Sequence, residues 1–339
     1  MKTRLLSLLL VCLLAVPSFA TIRYVNASVV GGTGDGLSWT NAHNNLQAAL
    51  SAAVSGDEIW VARGTYYPDE GGSFANNDIT AAFVMKNNLG IYGGFSGNGT
   101  ETMLSQRDWT VNPTILSGDI NKNGTLDNAQ DSRHVIFNNY TVGSPLNSSA
   151  VLNGFTISGG YGSGYSGGGM YNKYASPTIS HCNFSNNKVI VSKGGGMYND
   201  DSSPTISYCI FSNNEASGGG YGGGMYNRNS SPNISYCTFS NNLSSGSGYG
   251  GGGMANFSSS PTVYFCTFSN NSTQGSSDGA GMLNRDASPV VSNCMFSGNN
   301  SVAIYNGGAS TAIFVNCTFS GNNSTYSLYA GGMTNDGLN

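Results

Sequence analysis

From Met170 to Cys317 one stagger of apolar and polar positions recurs: Met, Asn two residues on, Pro five after that, Cys five later, then Phe two later. The copies are Met170/Asn172/Pro177/Cys182/Phe184, Met197/Asn199/Pro204/Cys209/Phe211, Met225/Asn227/Pro232/Cys237/Phe239, Met254/Asn256/Pro261/Cys266/Phe268 and Met282/Asn284/Pro289/Cys294/Phe296. Successive cysteines from Cys182 to Cys317 lie 27, 28, 29, 28 and 23 residues apart, yet Met to Cys is 12 residues in each of those five copies. Length variation therefore falls between Phe and the next Met, and a fixed unit with one elastic joint is a solenoid.

The unit reads as short strands, because side chains of a strand alternate with period two. Met170 and Asn172 share one face, Cys182 and Phe184 share another, and Ile179 after Pro177 begins a further strand. The spacing predicts three strands per rung, with corners at residues 173–176, 180–181 and 186–187. Helix fits badly: glycine runs at residues 167–169 and 194–196 are costly in a helix interior, and no segment of the repeats has an apolar period of 3.6. The class predicted is all-β, a parallel β-helix.

In such a coil each residue lies about 4.8 Å from its counterpart one rung away. Phe184, Phe211, Phe239, Phe268, Phe296 and Phe319 then form an aromatic stack. Asn172, Asn199, Asn227, Asn256, Asn284, Asn306 and Asn335 form one amide column, and Asn187, Asn214, Asn242, Asn271, Asn299 and Asn322 a second. Lys173, Asp200 and Arg228 stack as an alternating surface charge ladder. Upstream, Leu152, Phe155 and Ile157 repeat the spacing of a degenerate rung. Strands of irregular rungs are expected at residues 58–62, 82–85, 89–92, 114–116 and 134–137. Leu46, Ala49, Leu50 and Ala53 mark a short helix starting near Thr40 or Asn41, a plug for the open N-terminal end.

Residues 1–20, with Lys2, Arg4 and a following apolar run, read as a secretory signal peptide; a lipoprotein reading through Cys12 is disfavoured by Val11. Residues 21–150 then hold the cap and irregular rungs, and residues 151–339 the regular repeats. No second stretch is apolar enough to span a bilayer. Only 9% of residues are charged and the net charge is −4, which leaves no basic footprint for nucleic acid. The ladder cysteines are expected as free thiols, since in-register neighbours point in parallel rather than toward each other.

The repeats resemble those of the polymorphic outer membrane proteins, adhesins marked by paired GGxx and FxxN motifs, within the pectate-lyase-like right-handed β-helix superfamily. FxxN stands at residues 184–187, 211–214, 239–242, 268–271, 296–299 and 319–322. GGxx is intact at residues 167–170, 194–197, 222–225 and 251–254, departs at Ala280, and is absent at 301–304. The resemblance implies a right-handed, single-stranded coil, secreted or displayed at the surface of a Gram-negative cell, adhesin-like, binding glycan or cell-surface protein. Because its last rung opens at Gly331 and stops before a Pro, Cys or Phe, the chain is expected to be a fragment. The competing expectation is a polysaccharide lyase or glycoside hydrolase of the same fold, which needs positioned carboxylates or a calcium cluster with a basic proton acceptor. The repeats supply no catalytic constellation.

Two candidate sites emerge. Asp119, Asn121, Asn123 and Asp127, with Gly124 at the sixth position, have the spacing of a calcium loop, although Gln130 stands where a bidentate acid belongs; the alternative is a polar surface loop turned at Gly124. Asp127, Asp131, Arg133 and His134 are the first candidates should an active site exist. Along the elastic joint, Tyr161, Tyr165, Tyr221 and Tyr249 sit in glycine-rich segments suited to stacking on sugars, while Tyr171, Tyr198 and Tyr226 stack outward on the Met-Tyr-Asn strands.

Overall fold

The computed structural model describes residues 20–126, 130–245, 250–274, 279–324 and 331–336. The chain winds as a coil of parallel strands that line up in four sheets of ten, nine, eight and five strands. One rung shows the plan: Met170–Lys173, Thr178–Ser180, Asn183–Ser185 and Lys188–Ile190 each belong to a different sheet. Pairing is in register, with Met170 opposite Met197, Ile179 opposite Ile206, and Phe184 opposite Phe211.

The rung therefore has four strands, where the spacing suggested three. The added strand, Lys188–Ile190 and then Glu215–Ser217, Leu243–Ser244 and Ser272–Thr273, opens the elastic joint itself. Its inward positions, Val189, Ala216, Ser244 and Thr273, are small and mixed in polarity, so no apolar alternation announces it.

Inside, like side chains lie over one another. The phenylalanine rings from Phe184 to Phe319 stack with centroids 4.8, 4.8, 4.7, 4.7 and 5.2 Å apart. Burying each ring contributes roughly 1.5 to 3 kcal/mol. The first amide column begins one rung earlier than expected, with Asn138 donating to Asn172 at 2.9 Å, and continues to Asn306 donating to Asn335 at 2.7 Å. In the second column Asn214 Nδ2 donates both to Asn242 Oδ1 at 3.0 Å and to the carbonyl of Phe184 at 2.8 Å. From Asn138 to Asn284 in the first column and from Asn187 to Asn299 in the second these amides are fully buried, so a missing partner would leave the cost of desolvation uncompensated.

Corners are turned by left-handed residues. Asn186, Asn213, Asn241 and Asn270 have φ between 54° and 56°, the conformation asparagine tolerates best among non-glycine residues. The GG motif answers a different constraint: a Cβ on Gly224 would stand 2.5 Å from the carbonyl oxygen of Gly253 in the next rung. Cys182 to Cys317 are unpaired thiols, and the amide of Cys209 donates to the sulfur of Cys237 at 3.4 Å, which places adjacent cysteines on adjacent layers.

At the N-terminal end the helix runs Leu46–Ala52, later than the start near Thr40 or Asn41 read from the sequence. Asn45 is its N-cap, accepting from the Ala48 amide at 2.8 Å, while Asn41 instead accepts from the Thr33 amide and His43 bridges to Val25. Leu46, Ala49 and Leu50 pack with Val25, Ile59 and Val61, so the helix closes the coil's interior as a plug. The stretch expected as a strand at residues 82–85 makes a single bridge, Phe83 to Ile136; the strands beside it run Gly90–Phe95 and Ile136–Asn139. Strand Glu58–Ala62 falls where it was expected. The signal-peptide reading rests on residues 1–20, of which 1–19 lie outside the described residues. Among the described residues no helix is long and apolar enough to cross a membrane.

Gly224→Ala should lower the unfolding free energy by about 1 to 3 kcal/mol through backbone displacement. Gly143→Ala, where nothing lies within 4 Å of the added Cβ, should change it by less than about 0.5 kcal/mol in the same denaturant titration.

Candidate ligand-binding cleft

In each Met-Tyr-Asn strand the methionine and asparagine point inward, so the residue between them faces out. Phe137, Tyr171, Tyr198 and Tyr226 thereby form a column outside the coil's interior, with ring centroids 5.0, 5.4 and 5.4 Å apart. Phe137 and Tyr171 are half-buried, while Tyr198 and Tyr226, expected to stack outward, are covered and buried. Phe257 extends it at 5.3 Å from Tyr226. His134 flanks the near end, 4.8 Å from Phe137 and 5.7 Å from Tyr171. The segment from Gly164 to Ser166 stands over this end and carries Tyr165, whose ring is edge-on to His134 at 6.2 Å. Between wall and column lies a hollow of about 510 Å³ that also reaches Thr80, Arg133, Lys173, Asp200 and Arg228.

Charge is arranged around the rings. The Arg133 guanidinium lies 4.2 Å from the Tyr165 centroid, and the Lys193 ammonium 5.3 Å from Tyr226 and 5.8 Å from Tyr221. Asp200 accepts from Arg228 Nε and Nη2, both at 2.8 Å, and from Lys173 at 3.2 Å. The expected alternating ladder thus exists, but it is not wholly a surface feature: the Asp200 side chain is only 3% exposed beneath its two cations. Asp200 raises the pKa of both Arg228 and Lys173, while burial, followed by Arg228, lowers that of Lys193. Burial pushes Tyr198 up to about 12. Two cations pair with Asp200 while Arg133 and Lys193 stand over tyrosine rings, so the cleft is both aromatic and cationic.

His134 is nearly buried, and its Nδ1 donates to the Gly167 carbonyl at 3.0 Å. Burial drives its pKa down to about 4, so the ring is neutral at physiological pH. Asp200 is held by two cations, and His134 is neutral and oriented by its bond to the Gly167 carbonyl.

Of the tyrosines expected at the joint, Tyr165 forms the cleft wall and Tyr221 lies at the far end, 5.7 Å from Phe257. Tyr161 is buried, presenting little ring to solvent. Tyr249 lies outside the described residues. The sequence reading missed Lys193 and Phe137, although the outward phase of the Met-Tyr-Asn strand marks position 137 through its register with Tyr171. In the predicted calcium run, Asp119 accepts from the amides of Asn123 at 3.1 Å and Gly124 at 2.9 Å, Asn121 from Asn123 at 3.0 Å, and Asn123 from Thr125 at 2.7 Å. Asp127 lies outside the described residues, and no cluster of three or more acidic, histidine or cysteine ligands occurs among the described ones.

The four in-register parallel sheets define a parallel β-helix protein. Residues 120–276 match the family described as the right handed beta helix region. No curated protein matches the sequence. Among solved structures, a tailspike protein from Acinetobacter baumannii bacteriophage Fri1, a capsular polysaccharide depolymerase, is similar over 96% of this chain at 12% identity and a TM-score of 0.36. The chain spans 63% of that protein.

A histidine whose folded pKa lies near 4, below its ordinary 6.5, favours the folded state fully above pH 6.5. As pH falls from 6.5 toward 4 the unfolded chain takes up the proton first, and roughly 3 kcal/mol of stability is lost. Urea titrations should show this slope in the wild type and a flatter one in His134→Phe; equal slopes would contradict the assignment.

Proposed function

We propose that the protein is an exported, surface-displayed, adhesin-like β-helix that binds acidic glycans in the cleft between Tyr165 and Tyr171. The observation that carries this reading is the union of a stacked ring column with Arg133 over Tyr165, Lys193 over Tyr226, and the Lys173 and Arg228 that pair with Asp200. Sugar rings bring apolar C–H faces that pack on aromatic side chains, and a carboxylate or sulfate on the sugar finds cations half withdrawn from water. Protein ligands bearing acidic side chains use the same chemistry, and a glycan is favoured because the rings repeat along the coil axis as sugars repeat along a chain. Export and surface display rest on the signal-like residues 1–20 and on the resemblance of the repeats to outer-membrane adhesins.

Binding of alginate, hyaluronan and polysialic acid, measured by surface plasmon resonance, tests the reading. At least one should bind, with affinity falling as salt rises and dropping by about tenfold in Tyr171→Ala and in Arg133→Ala. Absence of binding, or affinity indifferent to both substitutions, would sink it. Release of new reducing ends would move the protein among polysaccharide-active enzymes instead.

A further inference from the structure

A second ring column runs along another edge of the coil, at the corner between the second and third strands of each rung. Trp109, His181, Tyr208, Tyr236 and Phe265 follow one another with centroids 4.7, 5.0, 4.9 and 5.1 Å apart. Unlike the internal phenylalanines these rings meet solvent: Tyr208 is 52%, Tyr236 45% and Phe265 50% exposed.

The backbone makes the choice of residue informative. His181, Tyr208, Tyr236 and Phe265 hold φ between 52° and 55°, in the left-handed region that bulky side chains rarely enter. At the same corner in the next two rungs, Asn293 and Asn316 adopt φ of 54° and 52° with the residue type that suits it. The corner itself therefore needs no aromatic residue. Four consecutive rungs accept the backbone strain and three of them also expose an aromatic ring, a combination found where a surface is used.

The column also has a concave start. A notch of about 250 Å³ opens between Trp109 and Tyr208, floored by Phe155 and bordered by Thr110 and Asn183. Trp109 is inclined 43° to His181, whereas the rings beyond are within 7° of parallel, so the stack is splayed at this end alone. A second hollow of about 320 Å³ lies at the far end, beside Phe265, Asn293 and Asn316. Neither hollow includes an acidic, lysine or arginine side chain among its described lining residues. This edge differs in chemistry from the cationic cleft, and a whole sheet separates the two.

We infer that this edge is a second carbohydrate-binding surface, which takes an uncharged polysaccharide laid along the coil axis with one sugar unit seated in the notch between Trp109 and Tyr208. The splayed end offers apolar contact to a sugar ring, and the tyrosine hydroxyls with neighbouring threonine and asparagine side chains offer hydrogen bonds to sugar hydroxyls. A surface that repeats rung by rung fits a ligand that repeats unit by unit. The Arg107 guanidinium lies 5.5 Å from the Trp109 centroid but is committed to the Leu104 and Gly93 carbonyls and to Asn153 Oδ1. The described lining itself thus carries no acidic, lysine or arginine side chain and selects a neutral ligand.

The test replaces Tyr208, Tyr236 and Phe265 together by asparagine, the residue this corner already holds at Asn293 and Asn316, so the coil is retained and a thermal melt verifies it. Wild type and variant are run by affinity electrophoresis through gels containing a β-glucan, a galactomannan or a xylan. At least one gel should retard the wild type equally at low and high salt, and the variant should lose affinity by at least about tenfold. Retardation by none of the three, or a variant that migrates like the wild type, overturns the inference. So does a variant that changes only from dimer to monomer in sedimentation, which would make this edge a contact between copies of the chain.

Discussion

The fold depends on one constraint: whatever lies inside a rung must fit directly over its counterpart in the next. A buried amide meets it by donating to the amide one layer on, and the column from Asn138 to Asn335 does so at 2.7 to 2.9 Å throughout. Each asparagine is satisfied because its neighbour is also asparagine. A substitution in one rung is therefore felt in two others, which keeps the inner residues uniform while the outer ones vary.

That division locates function on the outside. The external Met-Tyr-Asn column and the left-handed corner column obey the same rung spacing, but solvent and ligands rather than a partner layer decide their identity. On one face the rings are joined by Arg133, Lys193 and the Lys173–Asp200–Arg228 array. On the other, among the described residues, Arg107 alone approaches Trp109, and no charged side chain stands over the rings of Tyr208, Tyr236 and Phe265. A single scaffold thus displays two linear surfaces of contrasting chemistry. Both run parallel to the axis, as suits polymeric ligands.

The sequence made the repeating interior legible because stacking forces identical residues to identical spacings: the phenylalanine stack, both amide columns and the thiol ladder all lie where the spacing put them. Features governed by something other than repetition were harder to read. The fourth strand hides behind Ala216, Ser244 and Thr273, whose inward positions lack an apolar signature. The helix start was displaced because Asn45, not Asn41, caps it. Register placed Asp200 between Lys173 and Arg228, but only three-dimensional cover reveals that the carboxylate is buried. At Tyr208, Tyr236 and Phe265 local preference points away from the left-handed backbone they adopt, so the corner column carries no signal in the spacing. The cleft was legible in part: Tyr165 and Tyr221 were marked by their glycine-rich context, whereas Lys193 reaches the rings only through the folding back of the joint.

The most direct measurement of the stacking constraint is the unfolding free energy of Asn227→Ala, taken from denaturant midpoints beside Asn233→Ala on the exposed face. Asn227 accepts from Asn199 and donates to Asn256, both at 2.8 Å, so its loss strands two buried amides and should cost about 2 to 5 kcal/mol. The Asn233 change should stay within about 0.5 kcal/mol. Equal, small effects at the two positions would contradict the claim that amide columns hold the coil together.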